Sequence, residues 1–585
     1  MGDGRTAGWT EVQADDVGDA LVAGLAAGGI DHLFFTSGSE IGFFQEATAK
    51  ARARGANNPI RLITVPHEHA SLNAALGFAA VSGRPAVTAA HVDCGTMHYG
   101  GAVHTAARSG LPVVITAGFP PTAYAGTMKG GRDEGGHLWM QETFDQNGIV
   151  RNYVKWDHRL TWQDNPGLIA SRAVQVTRSE PCGPVYLSFP KELTLMPVDG
   201  ASFPSADRLG IPRPSAPADA DAEEIARRLI AARHPVVVVS ASGRDPATVP
   251  ALVELCELLG LAVTDSVQRS YMSFPFRHPC FQTQATLEEA DMVLALEAVV
   301  PWVPGRNAPG PDAFVVSVGR DPIAVSIPTF EFTADLRLAT DGLATILAIA
   351  AAARDLLNDE DRNRIAARKE RLASASRSWI DEAESAAKER SADIPIDRLW
   401  ASYRIGQLFD DNCIVFDETL PPNRTRTYFD RSEPGSYFAN PGSSGGWATG
   451  AALGAKLAAP ERDVIAVSGD GFYMFGTPAP ALWAASHHDA PFLQIVYTNR
   501  SYTTGTERIA NNYGADSFAA RDGFQGGYFD PPIDFAKEAE AAGAHGETVR
   551  DPAALEGALS RGLQQVRDGR PALVSIWLKR LEGED

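Results

Sequence analysis

Short apolar runs rich in β-branched residues alternate with alanine-rich helical patterns along the whole chain. In the first third, the helical patterns cover residues 17–28 and 70–82. The strand-like runs cover residues 32–35, 61–65, 86–90, 112–116 and 184–189. Uninterrupted apolar strands separated by helices are typical of a parallel sheet that is buried on both faces. This region therefore predicts a doubly wound α/β domain.

The same rhythm occurs twice more. After a proline-rich linker at residues 203–217, strand-like runs cover residues 236–240, 262–265, 292–295 and 313–318. A long charged helical pattern at 358–390 then leads to runs at 413–417, 464–468, 492–498 and 572–577. We therefore predict an α/β fold with three doubly wound parallel-sheet domains, at residues 1–195, 196–375 and 376–585. The sequence contains no short-period repeat, which argues against a solenoid.

Composition agrees with three domains and argues against several classes of protein. A chain of 585 residues is too long for one hydrophobic core. A net charge of −20 disfavours nucleic-acid binding. No run of about 18 uninterrupted apolar residues occurs, so we expect no membrane span. The acidic N-terminus lacks an apolar signal core, and the five cysteines contain no CxxC pair, so we expect a cytoplasmic protein without disulfides.

Glycines cluster where the predicted strands end. They are Gly38, Gly95, Gly118, Gly442, Gly445, Gly446, Gly469 and Gly471. In open parallel sheets, ligands bind at the carboxyl ends of the strands, where glycine lets the backbone approach a phosphate or a metal closely. We therefore expect the binding sites at these edges.

The sequence Gly469-Asp470-Gly471 directly follows one predicted strand, and Asn499 directly follows the next. A magnesium ion prefers oxygen ligands and holds a diphosphate through the diphosphate's own oxygens. The Asp470 carboxylate, the Asn499 amide and a main-chain carbonyl would supply such ligands. Gly-Asp-Gly alone is equally typical of a tight turn, but the asparagine at the second strand end favours the metal.

Glu68 begins the helical pattern that follows the strand at 61–65, within the sequence His67-Glu68-His69. A glutamate in the first helical turn is usually explained by the helix dipole. The histidines suggest zinc, but the HExxH motif requires a histidine at position 71, which is Ser71. The zinc interpretation therefore fails.

Together, these two signals resemble the thiamine-diphosphate-dependent enzymes, in which a glutamate begins an early helix and a GDG motif precedes an asparagine. Within that superfamily the chain resembles benzoylformate decarboxylase and, more distantly, acetolactate synthase. The similarity runs nearly from end to end. It includes GPVYLSFP at 183–190, RHPCF at 277–281, PGSYF at 434–438, PERDVIAVSGDG at 460–471 and ALWAA at 481–485.

The resemblance implies an aminopyrimidine-binding first domain, a middle domain with a degenerate nucleotide-binding-like fold, and a diphosphate-binding third domain. Glu68 would hydrogen-bond the aminopyrimidine ring of thiamine diphosphate. Mg²⁺ would be bound by Asp470, Asn499 and the carbonyl of Ser501. Further cofactor contacts would come from Gly469, Gly471, Phe472, Glu418, Thr419, Gly445, Gly446 and Trp447. No arginine-rich flavin signature occurs at 294–302, so no FAD is expected.

The resemblance also implies a reaction. Ser39 matches a serine that binds the substrate carboxylate, and His91 and His278 match two histidines suited to relaying protons. The chain is thus expected to be a lyase that decarboxylates a 2-oxo acid through a thiazolium carbanion and an enamine. The cofactor would lie between the first domain of one subunit and the third domain of another, so a homodimer or homotetramer is expected.

Several positions in the expected substrate pocket depart from the family pattern. Gly445 stands where a bulky aliphatic residue holds the cofactor bent, and Asp93, which would orient His91 or cap a turn, stands where small residues are usual. Thr504 and Arg508 stand where the decarboxylase has small and aromatic residues, after a GDG-to-Asn spacing that is two residues longer. An arginine there favours a second anionic group on the substrate, although a solvent-facing arginine is as common. These departures argue against benzoylformate itself as the substrate.

Three other functions stay open. An acetolactate-synthase-like carboligase or C–C lyase would use the same cofactor and differ in what captures the enamine. A serine hydrolase is suggested by the GxSxG sequence at 442–446, with Ser444 as nucleophile, but it needs a preceding strand where PGSYFANP reads as a loop. A relative that only binds the cofactor is disfavoured by the intact Glu68, Asp470 and Asn499.

Overall fold

The strands alternate with helices throughout the computed structural model, which describes residues 8–56, 59–266, 270–419 and 424–580. In chain order the strands are β1 (Trp9–Val12), β2 (His32–Phe35), β3 (Arg61–Thr64), β4 (Ala86–Ala90), β5 (Val113–Phe119), β6 (Asp157–Arg159), β7 (Val185–Pro190), β8 (Ala201–Pro204), β9 (Pro235–Val239), β10 (Ala262–Asp265), β11 (Met292–Leu296), β12 (Phe314–Gly319), β13 (Leu336–Ala339), β14 (Cys413–Glu418), β15 (Tyr437–Ala439), β16 (Asp463–Gly469), β17 (Leu493–Thr498), β18 (His545–Val549) and β19 (Ala572–Trp577).

The α-helices differ widely in length. In chain order they are α1 (Val17–Ala27), α2 (Phe43–Ala53), α3 (Glu68–Ser82), α4 (Asp93–His98), α5 (Gly101–Ser109), α6 (His137–Met140), α7 (Pro166–Arg178), α8 (Lys191–Thr194), α9 (Ala206–Leu209), α10 (Asp219–Ala231), α11 (Thr248–Leu259), α12 (Gly342–Leu356), α13 (Asp359–Lys388), α14 (Arg398–Leu408), α15 (Arg424–Thr427), α16 (Ala448–Ala458), α17 (Asp470–Phe475), α18 (Pro478–His487), α19 (Thr503–Tyr513), α20 (Phe518–Arg521), α21 (Phe535–Ala541) and α22 (Leu555–Arg567). None of these described helices is both long and apolar enough to cross a bilayer.

Three parallel sheets follow one another along the chain, which confirms the predicted fold class. The first has the strand order β3-β2-β4-β5-β7-β6, the second β10-β9-β11-β12-β13 and the third β15-β14-β16-β17-β19-β18. When the strands of the first and third sheets are each numbered in chain order, starting at β2 and at β14, the two sheets have the same strand order. Central strands such as β5 and β11 are buried along their whole length, as expected for sheets with helices on both faces.

The hydrophobic pattern misses four strands of these sheets: β6, β13, β15 and β18. All four are edge strands. An edge strand has a partner on one side only and needs no continuous apolar run, and β18 reads HGETV. Strand β15 lies in the stretch that reads as a loop from its sequence, so the strand before the GxSxG sequence does exist.

Connections between the sheets do not coincide with the predicted domain limits. Strand β8, after residue 195, pairs antiparallel with β1 near the start of the chain. Helix α13 crosses position 375, and its buried Arg368 donates to the carbonyl oxygens of Leu229 and Ala232 in the middle domain. The middle domain therefore holds the first half of α13 firmly.

Helices α3 and α16 join the first domain to the third within one chain. Their backbones are in direct contact at two glycines. A Cβ atom at Gly77 would lie 1.9 Å from the carbonyl oxygen of Ala451, and one at Gly454 would lie 1.8 Å from that of Ala74. The resemblance implies that these two domains meet across a subunit boundary, whereas here they meet in the same chain.

Candidate active site

The order of the strands creates a crevice in the first and the third sheet. In the first sheet, β2 and β3 lie on one side of the gap between β2 and β4, and the later strands lie on the other side. In the third sheet, β14 and β15 lie on one side of the gap between β14 and β16, and the later strands lie on the other side. Loops leave such a switch point in opposite directions, which opens a crevice at the carboxyl ends of the strands. Ser39 follows β2, His91 follows β4 and Asp470 follows β16. The topology thus places these side chains in two crevices, one in each sheet.

Contacts at the start of α3 hold the first domain against the third. The Nε2 atom of His69 lies 3.3 Å from the carbonyl oxygen of Gly446, and the side chain of Asn73 donates to the same oxygen at 3.4 Å. The hydroxyl of Thr477, just before α18, lies 3.5 Å from Nδ1 of His67. Glu68 is held between these contacts, so it lies at the cleft between the first and third domains.

The Glu68 carboxylate is almost completely buried, with its side chain 9% exposed. A Cβ atom at Gly95 would lie 3.0 Å from Glu68 Oε1 and 3.4 Å from Cβ of His91. Gly95 therefore separates Glu68 from His91, and a larger residue there would press on both. On the other side of Glu68, Nδ1 of His98 lies 3.5 Å from Oε2.

Glu40 is the functional candidate that sequence reasoning missed. Its side chain is fully buried and forms an ion pair with Nε2 of His91. It also accepts hydrogen bonds from the Ser39 hydroxyl at 2.9 Å and from the Gln141 amide at 3.0 Å. Burial by itself would raise the pKa of Glu40, but the hydrogen bond and charge of His91, together with Ser39, lower that pKa to about 2. The structure thus brings Ser39 and His91 together around a carboxylate that is ionised at neutral pH.

We expect Glu40→Gln to destabilise the folded protein in a pH-dependent way. Since the folded-state pKa of about 2 lies below the ordinary 4.5, the ionised carboxylate stabilises the fold above pH 4.5, and this contribution is lost as the pH falls towards 2. At pH 7 the substitution should lower the free energy of unfolding by at most about 3 kcal/mol. Urea unfolding of both proteins at pH 7, 5 and 4 measures it. A stability difference that does not narrow with falling pH contradicts this assignment.

Two predicted residues do not join this cluster. His278 lies in the middle domain, where its ring packs edge-on against Phe274 at 5.0 Å and its Nε2 atom lies 3.4 Å from Glu257. The structure therefore does not bring His278 to His91 within one chain. The side chain of Asp93 accepts from the backbone N–H of Cys94 in the first turn of α4. Glu40, and not Asp93, is the carboxylate that orients His91.

The predicted metal ligands lie at the ends of β16 and β17 in the third domain. Asp470 is buried and accepts from the backbone N–H groups of Gly471 at 2.8 Å and Arg500 at 2.5 Å, which ties the ends of β16 and β17 together. Burial raises the pKa of Asp470 to about 7 despite these donors. The amide oxygen of Asn499 accepts from the backbone N–H of Ser501 at 3.0 Å. A buried carboxylate and an amide oxygen at the ends of two neighbouring strands fit a hard divalent cation.

The glycines next to these ligands leave room for a bound group. Among the described residues other than its chain neighbours, no atom lies within 4 Å of the position that a Cβ atom would take at Gly469, and the nearest atoms at Gly471 belong to the Tyr502 ring at 3.3 Å. At Gly445 a Cβ atom would lie 2.6 Å from the ring of Phe472. Gly445 and Phe472 therefore pack together at the predicted cofactor site, and a bulky residue at 445 has no space in this conformation.

Three of the predicted cofactor contacts, Glu418, Trp447 and Thr419, have structural roles. Glu418 is buried and accepts from the backbone N–H groups of Gly446, Trp447 and Ala448, each at 3.0 Å, and from the Asn440 amide at 2.6 Å. It thus caps the start of α16, while burial raises its pKa to about 7. The Trp447 side chain is 4% exposed and packs against Phe416 in the core.

Thr419, the neighbour of Glu418, donates its hydroxyl to Asp417 at 2.6 Å. The hydroxyl and the backbone N–H of Thr419 both bind the same Asp417 oxygen, which fixes the turn after β14. These contacts of Thr419 therefore support the turn after β14.

Glu418→Ala should destabilise the protein without any cofactor present. The substitution leaves three buried N–H groups at the start of α16 without their acceptor, which should cost about 3–5 kcal/mol and lower the melting temperature by about 10 °C. Thermal unfolding of cofactor-free wild type and variant measures this cost. If Glu418 were instead a cofactor ligand, the two proteins would melt together until cofactor is added.

The remaining candidates lie near the surface. Thr504 and Arg508 are exposed and one turn apart on α19, so they share a face of that helix. Ser444 follows β15, but its side chain makes no hydrogen bond with a histidine in the described part of the chain. The nearby His104 instead contacts the carbonyl oxygen of Gly442 at 2.5 Å. The Ser-His arrangement of a serine hydrolase is therefore not formed.

Comparisons with known proteins agree with this geometry. The family model described as the N-terminal TPP binding domain of thiamine pyrophosphate enzymes matches residues 15–149, and the C-terminal TPP binding domain of the same enzymes matches residues 423–576. Benzoylformate decarboxylase of Pseudomonas aeruginosa is 28% identical over 542 residues, which cover 89% of this chain and 92% of the relative.

Two further similarities cover almost the whole chain. Sulfoacetaldehyde acetyltransferase of Rhodobacter capsulatus is 25% identical over 608 residues, covering 97% of this chain and 95% of the relative. The solved structure of a thiamine diphosphate-dependent 4-hydroxybenzoylformate decarboxylase from Rhodococcus jostii superposes with a TM-score of 0.75 at 22% identity, covering 97% of this chain and 100% of that one. At this identity the structural similarity shows a shared fold.

Proposed function

Because the chain belongs to the thiamine-diphosphate-dependent enzymes and matches both TPP-binding domains of these enzymes, we propose that it is a Mg²⁺-dependent decarboxylase of a 2-oxo acid. When bound, the cofactor supplies the electron sink for the carbon–carbon bond that breaks. The observation that carries the proposal is the Ser39–Glu40–His91 cluster, which lies across Gly95 from Glu68. A proton donor beside the buried glutamate is what decarboxylation requires, since a proton must replace the departing CO₂.

The residues of the first domain would act on the substrate and the aminopyrimidine ring. Ser39 would bind the substrate carboxylate through its hydroxyl. His91 would deliver the proton, because its ion pair with Glu40 fixes the orientation of the ring. Glu68 would hold the aminopyrimidine ring through its buried carboxylate, where the low dielectric strengthens a hydrogen bond.

The residues of the third domain would hold the diphosphate. Asp470, Asn499 and the carbonyl of Ser501 would bind Mg²⁺, and Gly469 and Gly471 would let the diphosphate approach the backbone. We also propose a homodimer or homotetramer in the reducing cytoplasm. A second subunit would be needed to bring His278 to this cleft, and the five described cysteines are free thiols.

A carboligase or C–C lyase with the same cofactor is the second candidate function. Thr504 and Arg508 present polar groups on one exposed face of α19, which follows the metal-binding loop. These groups would suit a second carbonyl substrate that carries an anionic group. The similarity to a sulfoacetaldehyde acetyltransferase supports this alternative.

Release of CO₂ from a panel of 2-oxo acids tests the proposed function. Cofactor-stripped protein would be assayed with and without thiamine diphosphate and Mg²⁺ on aromatic, short aliphatic and dicarboxylic members. Turnover that requires both additions supports the decarboxylase. Saturable cofactor binding without CO₂ from any acid would favour the carboligase or lyase, and no cofactor binding would exclude both.

A further inference from the structure

The buried Glu68 carboxylate has few titratable neighbours among the described residues. The groups that face it are His67 on its own chain segment and His98 and Tyr99 at the end of α4. Tyr99 is fully buried, and its hydroxyl donates to the carbonyl oxygen of Thr116. Burial also raises the pKa of Tyr99 well above its ordinary value. Tyr99 is therefore unsuited to exchanging protons with Glu68 at neutral pH.

His67 is also unsuited, because its Nδ1 atom is already an acceptor. The backbone N–H of His69 donates to that atom at 3.1 Å, and the resulting cap starts α3. Burial lowers the pKa of His67, with the charge of His98 adding to the effect and that of Glu68 opposing it. The ring of His67 instead lies parallel to that of His98, with 5.6 Å between the centroids, and supports it.

His98 differs from both neighbours because it reaches solvent. Its side chain is 64% exposed, whereas that of Glu68 is 9% exposed, and Nδ1 of His98 lies 3.5 Å from Oε2 of Glu68. This distance is slightly longer than a hydrogen bond, and rotation of an exposed side chain at the end of a helix closes such a gap. We propose that His98 carries protons between the buried Glu68 and bulk water.

The step balances without any further reactant. A proton on Oε2 of Glu68 passes to Nδ1 of His98, and the imidazolium releases its Nε2 proton to water. The reverse sequence returns a proton to Glu68. His98 therefore acts through Glu68 and makes no contact with the substrate. The inference rests on the proposed function, since it assumes that Glu68 exchanges protons with a bound aminopyrimidine ring.

A metal site is the competing interpretation of the same residues. One ligand atom each of His67, Glu68 and His98 lies within 4.8 Å of the others. However, coordination through Nε2 of His67 would place a proton on Nδ1, which faces the N–H of His69 at 3.1 Å. Coordination through Nδ1 would break the cap of α3. Proton transfer requires neither change.

The test follows exchange of the C2 proton of protein-bound thiamine diphosphate for deuterium, measured by rapid quenching and NMR. We expect His98→Ala to slow exchange at least about tenfold while cofactor affinity stays within twofold. Imidazole added to the buffer should restore the rate in proportion to its concentration, because it can occupy the exposed space left by the ring. His487→Ala, which removes an exposed imidazole on α18, is the matched control and should leave the rate unchanged.

The possible outcomes separate this inference from the proposed function. Wild-type exchange no faster than that of free cofactor removes the proposed function itself. Fast wild-type exchange with an equal rate in His98→Ala overturns the relay alone. Slow exchange that imidazole does not restore, with a parallel loss of cofactor affinity, assigns His98 a structural role. A metal site is assigned instead if zinc inhibits the wild type, His98→Ala relieves this inhibition, and the two metal-free proteins exchange the C2 proton at equal rates.

Discussion

Replacing Glu68 by glutamine is expected to lower turnover by a factor of about 10²–10⁴, which is the usual contribution of a positioned acid or base. The carboxylate is the one buried acidic group at the start of α3 among the described residues, and glutamine can neither accept nor return a proton there. Cofactor affinity should change little, because the proposed Mg²⁺ ligands in the third domain are unchanged. Steady-state CO₂ release and isothermal titration with thiamine diphosphate measure the two effects separately.

Glu192→Gln provides a control of identical chemistry. Glu192 is a buried carboxylate of the first domain that accepts from the backbone N–H groups of Thr122 and Ala123 and from the Thr122 hydroxyl. Its substitution should affect stability and leave turnover per folded molecule near that of the wild type. An equal loss of turnover in both variants would show that Glu68 acts through stability alone.

Asp470→Asn should abolish stabilisation by the cofactor and at the same time stabilise the cofactor-free protein. In wild type the pKa of about 7 lies above the ordinary 3.8, so the carboxyl group favours the fold at low pH and this contribution is lost as the pH rises through 7. Asparagine remains neutral, and its oxygen can still accept from Arg500, although its NH2 group then faces the N–H of Gly471 and offsets part of the gain. The gain at pH 8 should therefore be positive and at most about 4 kcal/mol.

Thermal unfolding at pH 5 and pH 8, with and without thiamine diphosphate and Mg²⁺, checks both parts. Saturating wild type at about 100 times its dissociation constant should add about 2.7 kcal/mol of stability, and the variant should gain nothing. Thr506→Ala, a change at a buried hydroxyl of α19 that bonds only to backbone oxygens in the described structure, is a control that keeps the cofactor effect. A variant that still responds to Mg²⁺ would remove Asp470 from the metal site.

The central strands could be predicted from the sequence because burial on both faces imposes continuous apolar runs. Strands β4 and β19, for example, have the predicted limits. The edge strands carry no such pattern, and β15 and β18 are fixed by pairing with β14 and β19 rather than by their own composition. Long-range pairing of this kind is not visible in a local hydrophobic pattern.

Long-range pairing also decides which residues of the candidate site could be predicted from the sequence. Ser39 and His91 were identifiable from the resemblance, but the role of Glu40 depends on β2 and β4 being neighbours in the sheet. The signal was present, since a carboxylate one residue after Ser39 lies at the same strand end. The resemblance predicts Glu418 as a cofactor contact, whereas its role as a helix cap depends on three backbone N–H groups that follow it by about 30 residues in the chain.

The contact between α3 and α16 also sets the distance between the first and third domains at the cleft. Gly77 and Gly454 allow the closest approach of the two helices, because each glycine lies directly against a backbone carbonyl oxygen of the other helix. One added methyl group would push the first and third domains apart beside the cleft in which Glu68 lies. A displacement of about 1 Å between reacting groups can cost a factor of about 100 in rate. The absence of a side chain at Gly77 and Gly454 thus determines how the first and third domains align.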